Sequence, residues 1–534
     1  MRDFLAYAEF DSFWQRFHPE TPFGRDVKER REIRTSAELL ETLWDRTETA
    51  LAFLDRLQGD EFGASRVTHH LKRLPRFPDE PRPVYDEVEI FQVKKFLHNY
   101  RCLVDLASPE VREAFGLDWS SRALEERLGV GSQSYEAFYV SDEYSEELAR
   151  VRAELRGLEE RLAGLRARRA LEIEQQWDLA FGPRDFLVVP RERLADLNRA
   201  SDLLLVEAYD DRSLLVRPRA AAEELALAEE RTRLLGQERA CEDRVLEGLA
   251  GAIREELPRL TAYRDAVRAF DLAFARARLA REYGLTRPRL DPEGPVRIEQ
   301  GRFLPCLESC RALGTRYEPL DAVLDASATV IFGSNMGGKT VVLKTLAFLQ
   351  LCAQSGLFVP AGRFTTRVFQ HFHYVGEGCG RPAEQGLSGF GFEIRQFLEA
   401  WDDFSRPTLA LFDEFARTTH SREAEALISA ILESVAARPH VVALFSTHFR
   451  GVQRFPEVGY LRMQGLQREE LDFSRAEGAE LEERIRLIDR HMEYRLVPDE
   501  GLPRTSDALA VAALLGVDPS LARRAEGFYL EGTD

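Results

Sequence analysis

Gly333-Ser334-Asn335-Met336-Gly337-Gly338-Lys339-Thr340 is the stretch from which the rest of the chain can be read. It fits the phosphate-binding pattern G-x-x-x-x-G-K-[ST]. Just before it, Ala328 to Phe332 is a short apolar run of the kind that forms a buried strand. Just after it, Val342, Leu343, Leu346 and Leu349 fall on one helix face, and Gly356 marks a stop. Strand, glycine loop and helix form the context the pattern needs. Gly333, Gly337 and Gly338 let backbone N–H groups turn inward around phosphate oxygens, with Ser334, Asn335 and Met336 completing the loop. The helix points its positive end at the same place. Lys339 is placed to reach the β- and γ-phosphates, and the Thr340 hydroxyl to hold Mg²⁺. The competing reading is a glycine-rich turn that binds nothing.

Downstream, Leu409-Ala410-Leu411-Phe412-Asp413-Glu414 is an apolar strand that delivers two carboxylates at its end. Asp413 is suited to hold Mg²⁺ and complete the set begun by Thr340. Glu414 is suited to polarise an attacking water as general base. Val441 to Phe445 is the next apolar strand, and it leads through Ser446 and Thr447 to His448, placed to donate to a γ-phosphate and sense it. Gln385 to Glu393 carries Ser388-Gly389 ahead of a helix, and two readings stand for Ser388. It is an anion contact at a helix start, of the kind that caps a partner subunit's γ-phosphate, or it is a plain N-cap. Strands alternating with helices from about Gly301 predict a largely parallel α/β sheet with ligands at the strand C-terminal ends.

Upstream, residues 1 to about 120 read as mainly helical, with apolar repeats around Leu39, Leu40, Leu43, Ala50, Leu51 and Leu54 and a second helix from Val88 to Leu106. No chemistry is legible there, and the adjacent His69 and His70 read as a surface pair. From Ser141, Leu148, Val151, Leu155, Leu158, Leu162 and Leu165 form a heptad seam. Phe186–Val189, Leu203–Val206 and Leu214–Val216 read as strands, with a turn at Asp210-Asp211-Arg212. A long helix then runs from Ala220 to about Tyr283, with Pro258 expected to bend it. Two helical arms thus flank a β-rich tip at about 184–219. This is either an ordinary hairpin with an insertion or a lever carrying a contact module.

The 534 residues leave room for two to four domains, and 44% hydrophobic with 31% charged residues describes a globular protein with ample core. No apolar run reaches the roughly 18 residues of a membrane helix, and the N-terminus does not read as a signal peptide. The six cysteines are scattered without a CxxC pair, which fits free thiols in a reducing cytoplasm. A net charge of −18 argues against coating nucleic acid through bulk electrostatics.

Taken together, these segments resemble the MutS family of DNA mismatch repair ATPases. The loop GSNMGGKTV (333–341) is similar to the family's GPNMGGKST. Residues 344–361, KTLAFLQLCAQSGLFVPA, resemble its following helix and turn. GLSGFGFEI (386–394) resembles GxSTFMxEM, LALFDEFARTT (409–419) resembles LxLLDExGRGT, and FSTHF (445–449) resembles a segment containing ATHY. Residues 493–525 resemble the family's closing strand and dimerisation helices, and residues 281–290 and 301–305 its link into the ATPase domain. The resemblance implies an ABC-type P-loop ATPase domain at 301–534. It implies core helices with the clamp-like tip at 126–300, and leaves 1–125 as a helical region of its own. It implies ATP and Mg²⁺ as ligands and Gly333 to Thr340 as the phosphate site. Asp413 and Thr340 become metal ligands, Glu414 the water residue, His448 the switch, and Ser388 a group acting in trans. Tyr317 becomes a stacking partner for adenine.

The departures are Ser334 for the loop proline, Val341 for a hydroxyl residue, and Ala416 and Thr418 for glycines after the acidic pair. No mismatch-reading domain, Phe-x-Glu wedge or nuclease-like C-terminal domain is recognisable. Between Arg184 and Arg219 seven Arg face seven Asp plus Glu, so the tip carries no positive excess. Two functions follow. The first is a DNA-binding ATPase that works as a homodimer, or as a heterodimer with a MutS-like partner, and recognises DNA structure rather than mispairs. The second is a protein-remodelling ATPase, such as a reactivating factor for a cobalamin-dependent amino-acid aminomutase.

Overall fold

The computed structural model describes the chain apart from residues 58–61, 132–133, 182–185, 200–201, 335–336, 377–388, 468–480, 502–506 and 532–534. The chain forms two compact units. One comprises Met1–Thr68, Ala107–Gly116 and Ala266–Asp534; the other comprises His69–Leu106 and Leu117–Asp265.

The first unit is built on a six-stranded sheet. From one edge the order is Met492–Pro498, Gly459–Leu466, Ala328–Phe332, Val441–Thr447, Thr408–Asp413 and His371–Gly376. All neighbours pair in parallel except Met492–Pro498, which is antiparallel. The strand expected at Ala328–Phe332 is found with those bounds, and the other two are each a little longer than their apolar runs. Successive side chains alternate between faces. Leu409, Leu411, Val442 and Leu444 pack with Leu343, Leu346 and Phe348 of the Lys339–Gln354 helix. Ala410, Phe412, Ala443 and Phe445 pack with Ile428 and Leu432 of the Ser421–Ala436 helix and with Ala400 of the Gly389–Asp403 helix. Cover on both faces explains why these strands are apolar without alternation. A smaller four-stranded sheet, in the order Arg289–Leu290, Arg363–Thr366, Val296–Gly301 and Leu320–Leu324, belongs to the same unit.

The 1–125 region does not stand alone. Its first 68 residues lie in the unit that holds 301–534. The cause is an aromatic ridge on the helices Arg2–Tyr7 and Phe10–Trp14. Phe4, Phe10 and Phe13 on these helices, and Phe17 just after them, are all at most 1% exposed. Phe4 meets Phe372 edge-on with ring centroids 5.3 Å apart, and Phe13 lies 5.2 Å from Phe348. Each buried ring contributes about 1.5–3 kcal/mol.

Asp271, in the Ala222–Tyr283 helix, ties down the next turn. It accepts from the N–H of Glu20 (2.9 Å), the N–H of Thr21 (2.9 Å) and the Thr21 hydroxyl (2.7 Å). Thr21 in turn caps the Pro22–Arg30 helix by accepting from the N–H of Gly24. A Cβ on Gly24 would come 2.3 Å from the Asp271 carboxylate, so only glycine fits there. Asp271→Asn is expected to cost roughly 1–3 kcal/mol, because it sets an amide N–H₂ against N–H donors. Burial raises the Asp271 carboxyl from 3.8 to about 6. A carboxyl raised on folding stabilises fully below its unfolded value, and that contribution is lost as pH rises through the folded one. The stability difference between wild type and D271N, read by urea unfolding, therefore narrows between pH 4 and 7.

In the second unit the heptad seam is realised. Val151, Leu155, Leu158 and Leu162 of the Glu146–Trp177 helix pack on Leu227 and Leu234 of the Ala222–Tyr283 helix. Arg152 joins Asp142 (2.8 Å), Glu238 (2.8 Å) and Glu242 (2.6 Å) beside it. Pro258 lies within the unbroken long helix. The tip is a three-stranded antiparallel sheet in the order Leu187–Pro190, Ser213–Pro218, Leu204–Ala208. The expected turn at Asp210 is held by the Arg212 N–H donating to its carboxylate at 2.7 Å.

Candidate nucleotide site

Three adjacent parallel strands end side by side. Asp413 pairs in register with Ser446, and Ser446 with Ile331, the penultimate residue of the strand before the glycine loop. Side chains on these ends and on the first turn of the next helix therefore converge without any long loop.

Gly338 caps the Lys339–Gln354 helix with φ of 90°, a left-handed conformation natural to glycine. A Cβ there would also come 3.2 Å from the Tyr494 ring. Lys339 is 3% exposed, and its ammonium donates to the carbonyls of Gly333 (2.8 Å) and Ser334 (2.9 Å). It lies 3.4 Å from Glu414 Oε1. Burial lowers the Lys339 pKa, while Glu414 and Asp413 oppose that shift. The Thr340 hydroxyl donates to Asp413 Oδ1 at 3.2 Å, and the Ser446 hydroxyl donates to the same oxygen at 2.6 Å. Ser446 Oγ also accepts from the N–H of Glu414 at 3.0 Å.

Glu414 has φ of 51° and Ala416 φ of 63°. Both are held in the left-handed region, which costs a non-glycine residue roughly 1–2 kcal/mol. At 416 the family pattern has glycine, and the conformation shows why. The loop is fixed by buried Glu393, whose carboxylate accepts from the N–H of Ala416 at 2.7 Å. Arg417 lies 3.3 Å from Glu414 Oε2.

Lys339, Thr340, Asp413 and Glu414 are thus brought together, with Gly333, Ser334, Gly337 and Gly338 around them. His448 follows directly on the Val441–Thr447 strand and is exposed. The Tyr317 hydroxyl accepts from the N–H of Phe303 at 2.7 Å, and burial pushes its pKa up to about 12. Its structural ties are thus to Phe303 in the small-sheet region. Asn335, Met336 and Ser388 lie outside the described residues.

Two contacts were not anticipated. Ser446 was legible as a strand end, but its bond to Asp413 follows only from the register. Tyr7, from a segment in which no chemistry was legible, directs its hydroxyl at Asp413 Oδ2 (3.2 Å) and the Thr340 carbonyl (3.4 Å). Its ring stacks on Tyr374 at 4.0 Å and lies under the Lys344 ammonium. No sequence signal links positions 406 residues apart.

Residues 329–526 match the family model described as MutS domain V. Over these residues the chain is similar to the MutS family. It is similar to the Endonuclease MutS2 of Symbiobacterium thermophilum, 30% identical over 292 residues, which are 54% of this chain and 33% of that protein. It is also similar to the Endonuclease MutS2 of Pediococcus pentosaceus, 29% identical over 294 residues covering 54% of this chain and 34% of the relative. The Endonuclease MutS2 of Solidesulfovibrio magneticus is 32% identical over 222 residues, 42% of this chain and 28% of the relative. The match spans about a third of the length of these MutS2 relatives. No described helix is long and apolar enough to cross a membrane.

Proposed function

We propose that the chain binds and hydrolyses ATP on a P-loop of the ABC type, and that it acts on DNA as a dimer. The observation that carries the reading is the convergence of Lys339, Thr340, Asp413 and Glu414 at the ends of three adjacent parallel strands. In this reading the loop from Gly333 through Ser334, Asn335 and Met336 to Gly338 wraps the phosphates, and Lys339 leaves its own loop carbonyls to meet them. The Thr340 hydroxyl and the Asp413 carboxylate fit Mg²⁺, since they are hard oxygen donors already within 3.2 Å of each other. Mg²⁺ would neutralise charge on the phosphate oxygens. Glu414 takes the proton of the attacking water, His448 senses the γ-phosphate, and Ser388 reaches the nucleotide of the other subunit. Tyr317 serves the adenine.

DNA is favoured as the load because of the family and its relatives, with branched or looped structure as the feature recognised. The test is the ATPase rate with duplex, branched and mismatched DNA at physiological salt. Stimulation by branched DNA supports the reading. No binding and no stimulation by any of the three would overturn the DNA half and turn attention to a protein client. A tip without positive excess also predicts a shallow salt dependence of DNA binding.

Tyr7 yields a further expectation within this reading. Its hydroxyl orients the Oδ2 side of Asp413. Removing a group that orients a ligand typically costs 10–100-fold in metal affinity. Tyr7→Phe should therefore raise the Mg²⁺ needed for half-maximal turnover by about 10-fold while the folded state persists. An unchanged Mg²⁺ dependence would show that the hydroxyl contributes only packing.

A further inference from the structure

We propose that His371, His373 and Asp403 form a binding site for a divalent transition-metal ion of the Zn²⁺ class, separate from the nucleotide site and independent of how that site is read. His371 and His373 alternate with Phe372 on the edge strand, so both imidazoles stand on the same face of the sheet. Asp403 is the last residue of the Gly389–Asp403 helix. Its Oδ2 lies 2.9 Å from His371 Nδ1 and 2.9 Å from His373 Nε2. All three ligand atoms fall within 4.8 Å of one another, and all three residues are half-buried.

Several features beyond proximity favour an ion. Two imidazole nitrogens and one carboxylate oxygen are a donor set suited to Zn²⁺, which takes three protein ligands and leaves a fourth position to solvent in open sites. The carboxylate sits at a helix C-terminus, where the carbonyl ends favour positive charge. The helix end that carries Asp403 is held by the turn into the neighbouring strand, Thr408–Asp413. There the N–H of Arg406 and the Thr408 hydroxyl both donate to the Asp403 carbonyl, at 3.0 and 2.9 Å. The 2.9 Å separations are hydrogen-bond lengths. Ligands at about 2.0–2.2 Å from a tetrahedral ion lie roughly 3.4 Å apart, so loading asks each Asp403–His pair to open by about half an ångström. Arg406 Nη1 is 3.4 Å from the far nitrogen of His371. That nitrogen carries the proton when Nδ1 binds metal, so the exposed guanidinium must turn away.

The site is remote from the phosphate end of the sheet. His371 pairs in register with Thr408, and Gly376 with Asp413, five residues further along. At about 3.3 Å per residue this is roughly 16 Å. An ion here would clip the edge strand to the end of the helix that follows Ser388.

The test is a Co²⁺ titration of the full chain, stripped of metal by chelation and without nucleotide. The expected result is one Co²⁺ per chain with the visible bands of a four-coordinate site, displaced by Zn²⁺ and retained in Asp413→Asn. His373→Ala and the isosteric Asp403→Asn should each weaken binding at least about tenfold. Zn²⁺ should raise the unfolding temperature of the wild type and leave that of Asp403→Asn unchanged. Absence of the bands would overturn the proposal and leave a hydrogen-bonded His–Asp–His cluster. So would bands unaltered in His373→Ala, or thiolate charge-transfer bands that place the ion at Cys306 and Cys310, whose sulfurs are 4.0 Å apart.

Discussion

Glu414→Gln is expected to lower ATP turnover by about 10²–10⁴-fold while ATP still binds. The amide has the size of the carboxylate and keeps an oxygen, so the left-handed turn at φ of 51° and the bond from the Glu414 N–H to Ser446 survive. What is lost is the proposed base. The substitution also removes the negative partner 3.4 Å from Lys339, leaving the ammonium freer for phosphate, so nucleotide affinity should hold or rise. Single-turnover hydrolysis and equilibrium binding of a fluorescent ATP analogue separate the two effects. Turnover within threefold of wild type would show that another group activates the water.

Lys339→Met should have the opposite signature, with loss of binding itself. Charge-assisted hydrogen bonds contribute about 1.5–3 kcal/mol each, so the affinity should fall by roughly 10²-fold through loss of one or two phosphate contacts. Methionine retains the apolar stem of a side chain that is 3% exposed, so the fold should tolerate the change better than a truncation to alanine. Retained affinity would mean that the loop backbone alone holds the phosphates. Together the two variants distinguish a site that binds and hydrolyses from one that only binds.

Much of this architecture could be read in the residues. Ala328–Phe332 and the helix ending at Tyr283 were legible because their patterns are decided locally: an apolar run covered on both faces, and an uninterrupted helical period. Lys339, Thr340, Asp413 and Glu414 were legible because strand ends in a parallel sheet gather at one edge. The small sheet was not read, since its strands of two to six residues carry too few positions for a period to show. Gly459–Leu466 was missed because its side chains are mostly half-buried and its composition mixed. Tyr7 and the His371–His373–Asp403 cluster depend on contacts distant in sequence, which no local pattern encodes.

The aromatic ridge of the first two helices also sets how the chain can be divided. A fragment beginning at Gly301 would carry every residue proposed above to contact the nucleotide. It would also turn the surfaces of Phe348 and Phe372, now sealed by Phe13 and Phe4, toward water, and it would leave Asp413 without the Tyr7 hydroxyl. Sequence motifs suggest a catalytic piece that starts near residue 301. The packing instead makes the first turns of the polypeptide a wall of that piece, so the compact unit around the sheet is discontinuous in sequence and draws on both ends of the chain.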